Sequence, residues 1–418
     1  MKLSVFGEKF SARSGVVDLM RDLGDALHDN PDMLFMGGGN PARLPAVESV
    51  YRDRLRALLD DPGQWQRLAG SYQSPGGDRG FREALATYLQ QRYGWSVGPD
   101  NIAVTNGSQS AYFVLYNLFA GQMPDGSHRR IHLPVSPEYI GYADAGISDD
   151  FFSATAPRIE LTGAHEFEYR LDKTSLDIDE NVGALCVSRP TNPSGNVLDA
   201  EELATLEALA AARDIPLIVD GAYGAPFPDI TFTESEPRWN ERTILTLSLS
   251  KLGLPGLRTG IIVAREDVVA AFNSTNTIIN LASGAVGPAL AENLIRSGAL
   301  HALTDTAIRP FYRERMQHAV ATAQSAFAGL PYRLHRPQGA FFLWCWFEGL
   351  PISSADLYER LKRAGVLAIP GERFFIGLDP VWTHTHECIR LSYAQDPSVV
   401  EAGLALVARE VRHAFDAG

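Results

Sequence analysis

The sequence predicts an α/β fold: a large unit built on a mostly parallel sheet, followed by a smaller α+β unit. Three observations predict it. Short apolar runs alternate with helical stretches through the middle of the chain, the pattern of right-handed βαβ units. Those runs are apolar throughout rather than alternating, as in strands covered on both faces. After about residue 300 the pattern changes to one long helix followed by mixed strands and helices. The 418 residues are enough for two or three domain-sized units and for a core that needs no disulfide or metal. The expected division is an N-terminal arm (residues 1–50), a large unit (51–305) and a small C-terminal unit (306–418) against which the arm packs.

The arm reads as partly loop-rich and contains the breaker cluster Gly37-Gly38-Gly39-Asn40-Pro41. Ile102 to Thr105 reads as a strand, followed by a helix from Ser108 to Phe119. Ile131 to Val135 and Gly183 to Ser188 are further strands. A Pro/Asn/Gly loop and an Ala/Leu/Glu-rich helix, Ala200 to Arg213, come next. Ile215 to Val219, Thr243 to Leu249 and Gly260 to Val263 complete the series. Only a loop separates the last two, so an antiparallel strand is expected there. The small unit reads as a helix (Arg309 to Phe327), strands near Tyr332 to His335 and Ala340 to Phe347, a helix (Ser354 to Ala364), short strands near Val366 and Ile389, and a closing helix (Pro397 to Phe415).

The formal net charge of −13 argues against a protein that grips nucleic-acid phosphates or anionic lipid. A local basic pocket for one small anion is compatible with it. Only five of the 37 basic residues are lysine: Lys2, Lys9, Lys173, Lys251 and Lys362. The N-terminus has no apolar signal region, and the strongest apolar run, Ala340 to Phe347, falls far short of the ~20 residues of a membrane span. Cys186, Cys345 and Cys388 lie far apart in apolar segments, which reads as reduced core thiols in a cytoplasmic protein. His384 and His386 lack an evident third metal ligand and read as loop packing, so no metal site is expected. The aromatic run Phe341 to Phe347 reads as a buried strand rather than a base-stacking platform.

Ligands of open parallel sheets bind beyond the C-terminal strand ends. At the first end, Thr105-Asn106-Gly107-Ser108-Gln109 joins a strand to a helix. It is either an ordinary helix cap or a site where free amides meet a phosphate. At the second, Tyr139 of Pro137-Glu138-Tyr139 either packs or stacks on a flat ligand. The third, Arg189-Pro190-Thr191-Asn192-Pro193-Ser194-Gly195-Asn196, is a rigid turn that either caps itself or points Asn192 off the sheet. At the fourth, Asp220-Gly221-Ala222-Tyr223 is either a capped turn or a carboxylate awaiting a cation. At the fifth, Ser248-Leu249-Ser250-Lys251 ends an apolar strand. Lys251 either snorkels or, partly desolvated, loses its proton and attacks a carbonyl. Seven residues on, Arg258 is placed to clamp a phosphate with Ser248 and Ser250.

One ligand accounts for all five ends: a phosphorylated aromatic aldehyde. Lys251 would form an imine with it, and Asp220 would hold a protonated ring nitrogen, making the ring an electron sink. Arg258, the serines and the Gly107–Gln109 amides would hold the phosphate, and Tyr223 and Asn192 the ring oxygen.

Read with Pro190-Thr191-Asn192-Pro193-Ser194-Gly195, Asp220-Gly221-Ala222-Tyr223, Ser248-Leu249-Ser250-Lys251, Pro255-Gly256-Leu257-Arg258 and Arg390-Leu391-Ser392-Tyr393, the chain resembles the fold-type I, pyridoxal-phosphate-dependent aminotransferases of class I/II. The resemblance covers essentially the whole chain. It implies a large domain with a mostly parallel seven-stranded sheet, pyridoxal 5'-phosphate as cofactor, and a homodimer. By the same resemblance Lys251, Asp220 and Tyr223 are catalytic. Gly107, Ser108, Gln109, Tyr139, Asn192, Ser248, Ser250, Arg258 and Tyr72 complete the cofactor site, Tyr72 reaching the phosphate of a neighbouring subunit. Arg390, with Asn192 and the Gly39 amide, would grip the substrate carboxylate. The implied reaction is transamination between a small α-amino acid (valine, alanine or 2-aminobutyrate) and a 2-oxo acid such as pyruvate. Alternatives on the same scaffold are an alanine or aromatic aminotransferase or a carbon–sulfur lyase, which pocket shape would decide. A regulatory module that binds the cofactor is disfavoured by the charge and by the lack of a helix-turn-helix-sized N-terminal extension.

Overall fold

A computed structural model describes residues 1–12, 15–176, 178–378 and 382–417. Its main sheet follows the order Ile102–Thr105, Gly260–Val263, Thr243–Ser248, Leu217–Asp220, Val182–Ser188, His128–Leu133 and Gly121–Gln122. Phe152–Ala154 pairs with the far end of His128–Leu133, so two short segments share the last position of a seven-place sheet. Gly260–Val263 runs antiparallel to both neighbours, where a loop rather than a helix precedes it. The core strands Leu217–Asp220, Val182–Ser188 and Thr243–Ser248 are parallel and fully buried.

That continuous burial follows from alternation of side chains across two covered faces. Leu185, Val187, Leu217, Val219, Leu245 and Leu247 join one apolar cluster. Their chain neighbours Ala184, Cys186, Ile218 and Ile244 join a second cluster with helix Ser108–Phe119. Helix Ala200–Arg213 starts where Asp199 accepts from the backbone N–H groups of Glu201 and Glu202, while Glu202 bonds back to Asp199 N. That reciprocal cap fixes where the loop carrying Asn192 must end.

The second sheet has the order Ile369–Pro370, Cys388–Ser392, Phe342–Phe347, Tyr332–His335, Glu166–Arg170 and Arg158–Gly163. The last two strands lie within the segment that the sequence division gives to the large unit, yet they add to this sheet through Leu334↔Glu166 and His335↔Phe167. The arm holds helices Val5–Ser11 and Gly15–Asp29, more regular structure than a loop-rich reading implies. Its Leu34–Phe35 pairs in parallel with Val366–Leu367. Cys186, Cys345 and Cys388 are buried and free. His384 bonds Tyr169 and His386 bonds Glu372. Among the described residues no helix is long and apolar enough to cross a membrane.

Candidate active site

The register of the main sheet brings its strand ends together. Ser188 lies opposite Asp220, Asp220 opposite Thr246, Ser248 opposite Gly260, and Gly260 opposite Thr105. Residues far apart in sequence therefore meet at one edge, where they line a single cleft.

Lys251 follows the strand Thr243–Ser248 in a short 3-10 turn. Its Nζ donates to Gly39 O at 2.7 Å and stands 5.2 Å from the centre of the Tyr223 ring. Burial, and next the charge of Arg390, press its pKa down to about 8, against the pull of Asp220. The amine is thus close to losing its proton at neutral pH.

Asp220 is buried at its strand end. Tyr142 Oη donates to Oδ2 at 2.7 Å and Ala222 N to Oδ1 at 2.9 Å. Burial raises its pKa, and these two donors oppose the rise. Tyr223 is held edge-on to Phe341 and Phe342. Tyr139 is half-buried beside the cleft, perpendicular to the Tyr142 ring.

Arg390 is drawn from the second sheet, in the strand Cys388–Ser392. It donates from Nη1 to Asn192 Oδ1 at 2.5 Å and from Nη2 to Gly37 O at 2.7 Å. Its Cζ lies 4.3 Å from the Phe342 ring centre, and its buried Nε meets no partner among the described residues. Burial lowers its pKa to about 10, so it is still charged at neutral pH.

The anion side of the cleft is made by backbone. Helix Ser108–Phe119 has no side-chain cap, which leaves its first amides and its positive dipole end open. Arg258 stands over this end, 3.5 Å from Ser250 Oγ through Nη1. Gly107 has φ +94°, and a Cβ there would lie 2.2 Å from Arg258 Nη2. At Gly260 a Cβ would lie 2.6 Å from Ser108 N. Both glycines therefore permit the close approach of guanidinium and amides. Ser250 N donates to Ser248 Oγ, and Gln109 Nε2 donates to Gly141 O.

Of the residues singled out from sequence, Gly39, Ser108, Gln109, Tyr139, Asn192, Asp220, Tyr223, Ser248, Ser250, Lys251, Arg258 and Arg390 line this cleft. Gly107 backs it through Arg258. Tyr72 does not line it and is 84% exposed. Sequence reading did not single out Tyr142, Glu138, Gly37, Val16 or Met20. Tyr142 could have been found, since it follows Tyr139 by one helical turn. Val16 and Met20, on helix Gly15–Asp29, line the cleft only through tertiary packing.

Residues 64–405 match the family described as aminotransferase class I and II. The chain is 46% identical over 415 residues to valine–pyruvate aminotransferase of Escherichia coli (strain K12), covering 99% of each. It also resembles the crystal structure of valine–pyruvate aminotransferase from Salmonella typhimurium LT2, at 44% identity and a TM-score of 0.89, covering 97% of this chain and 100% of that one. A putative amino-acid aminotransferase from Psychrobacter arcticum 273-4 is similar over the whole of both chains, with 42% identity and a TM-score of 0.97.

Proposed function

The chain belongs to the class I and II aminotransferases, and on that premise we propose that it moves the amino group of valine, alanine or 2-aminobutyrate to a 2-oxo acid such as pyruvate, with pyridoxal 5'-phosphate as cofactor. One observation carries the reading. An amine of lowered basicity, Lys251, shares a cleft with a buried guanidinium, Arg390, whose Nε is unpartnered. The first can move a proton; the second can take a carboxylate.

The residues fit the cofactor. The uncapped helix end, Ser248, Ser250 and Arg258 suit a phosphate. Asp220 offers a buried anion for a protonated ring nitrogen, Tyr139 an aromatic face, and Tyr223 and Asn192 hydrogen bonds for the ring oxygen. When bound, the cofactor supplies a carbonyl for amine exchange and a ring that takes up the electron pair left by a departing α-proton. Lys251 Nζ is the base that takes this proton and the acid that returns it. Arg390 and Asn192 fix the carboxylate, so the α-carbon is presented in one orientation. Val16, Met20 and Tyr139 line the same cleft.

Substrate choice follows from the arginines. Among the described lining residues these are Arg258 and Arg390. With Arg258 given to phosphate, one fork remains for one carboxylate, which favours donors without a second acid group. A donor screen with pyruvate, scored by alanine formation, tests this. Valine and 2-aminobutyrate are expected to outpace aspartate and phenylalanine; the reverse order would overturn the specificity. Arg390→Lys keeps the charge and loses the fork. It is expected to lower kcat/KM by about 10²-fold, mostly through KM, as steady-state kinetics would read.

We also read the enzyme as a homodimer. Ile278, Ile279 and Leu281, at the end of helix Glu266–Asn280, are exposed, as is Tyr72. The loop after Tyr72 packs beside that helix, Gly76 lying against Asn273. A second copy covering this face would receive Tyr72 near its own phosphate site. The reading keeps the division into arm (1–50), large unit (51–305) and small unit (306–418), with the strands Arg158–Gly163 and Glu166–Arg170 of the large unit's segment carried by the second sheet. Three free, buried cysteines support a cytoplasmic setting.

A further inference from the structure

Glu138 joins the segment carrying Tyr139 to the strand end that leads to Asn192, and the roles above leave it unused. Its side chain is 1% exposed. Oε1 accepts from Ser188 N at 2.8 Å, and Oε2 pairs with the Ser188 hydroxyl. Its own N–H donates to Phe374 O at 2.9 Å, in the turn Gly371–Phe374 of the second sheet's layer. Ser188 is the last residue of its strand. Four residues later comes Asn192, which is bonded to Arg390. The residue after Glu138 is Tyr139. One carboxyl thus meets both the N–H and the hydroxyl of one serine, and a two-point contact fixes orientation as well as distance.

We propose that Glu138 is a positioning residue: its carboxyl clasps Ser188 and so sets the spacing of the Tyr139 and Asn192 loops. The clasp rests on the reading of this cleft as the transamination site. It acts through Tyr139 and Asn192 and touches no substrate.

The state of the carboxyl follows from its surroundings. Among the described residues the hydrogen bonds to it come from Ser188 and from backbone, none from a cation. Asp220, at the end of the adjacent strand, faces it with a like charge; Cys186 is the other titratable side chain coupled to it, and the Tyr139 backbone adds a hydrogen bond. Burial pushes its pKa up to about 8, the Ser188 bonds opposing the rise and Asp220 adding to it. Burial thus favours the protonated form of the carboxyl in the clasp. In the unfolded chain the same group titrates near ~4.3. Between these values the folded state holds the extra proton. Its contribution to stability is full below pH ~4.3, falls as pH rises, and is lost above about 8.

Glu138→Gln keeps an uncharged two-point partner; Glu138→Ala and Ser188→Ala remove it. The melting temperature of each holoenzyme is measured from pH 5 to 9, together with kcat and KM. The melting point of Glu138→Gln should gain on that of the parent as pH rises to about 8, then keep pace with it. At pH 7 this variant should retain kcat/KM to within roughly 3-fold and lose less of it toward pH 9 than the parent does. Glu138→Ala should raise the KM for the amino donor by about 10-fold. Ser188→Ala should do the same and stands in if the former does not fold. A pH-independent melting difference, a Gln variant as impaired as the Ala variant, or an unchanged KM in Ser188→Ala overturns the clasp. The melting arm needs no substrate. A pH-dependent difference in an enzyme without transaminase activity would support the clasp and reject the reading of the site.

Discussion

Lys251→Ala abolishes transamination, by about 10⁴-fold or more in kcat, while the protein keeps its fold. The two halves of this expectation have separate physical grounds. Among the described residues Lys251 Nζ makes one hydrogen bond, to Gly39 O, worth about 1 kcal/mol net. Its lowered pKa means that the folded state binds its proton more weakly than the unfolded chain does. Its ammonium form therefore adds nothing to stability at neutral pH, and removing it costs little. Activity is different. No other lysine lines the cleft among the described residues, so no neighbouring amine can replace it. Lys251→Arg should be equally inactive, since a guanidinium keeps its proton. Borohydride reduction of the holoenzyme followed by peptide mapping should place the added mass on the Lys251 peptide. A tag on another lysine, or an alanine variant with measurable turnover, would overturn the assignment.

Why Lys251 could be found from sequence is itself physical. A parallel strand covered on both faces must be apolar, so a lysine immediately beyond one stands out, as do Asp220 and the serines Ser188 and Ser248. Strand ends in such a sheet converge, and the order of polar residues along the chain becomes a list of neighbours. The same logic misses what does not sit on an apolar run. The hairpin strands Arg158–Gly163 and Glu166–Arg170 alternate polar and apolar residues, and their partner strand, Tyr332–His335, lies far along the chain. Nothing local assigns them to the second sheet. Glu138 was read as part of a loop, because its role depends on Ser188, which only folding brings near. Tyr72 is legible only by resemblance: in a single chain it is exposed and does not line the cleft.

Asp220→Asn is the second large effect, and it separates a residue kept for chemistry from one kept for the fold. Asparagine matches the carboxylate in shape. Its amide oxygen can still accept from Ala222 N or Tyr142 Oη, which now meet Oδ1 and Oδ2. What it lacks is the charge. A buried carboxylate with two neutral donors and a raised pKa is a cost to the cofactor-free fold above the unfolded carboxyl range, because the folded state would rather keep the proton. Removing that charge should leave the melting temperature of the cofactor-free protein at neutral pH equal to or above the parent's. The benefit should shrink as pH falls toward ~4, where the parent's carboxyl is protonated in both states. Activity should move the other way. A fixed anion at a site where positive charge must be held is worth about 10²–10³-fold in rate, and kcat should fall by that amount with the KM for the amino donor nearly unchanged. Arg390, Asn192 and Lys251 keep their partners in this variant, so substrate binding has no reason to weaken. A variant that loses melting temperature and activity together would make Asp220 a folding residue. One that keeps both would remove the need for a buried anion at the strand end.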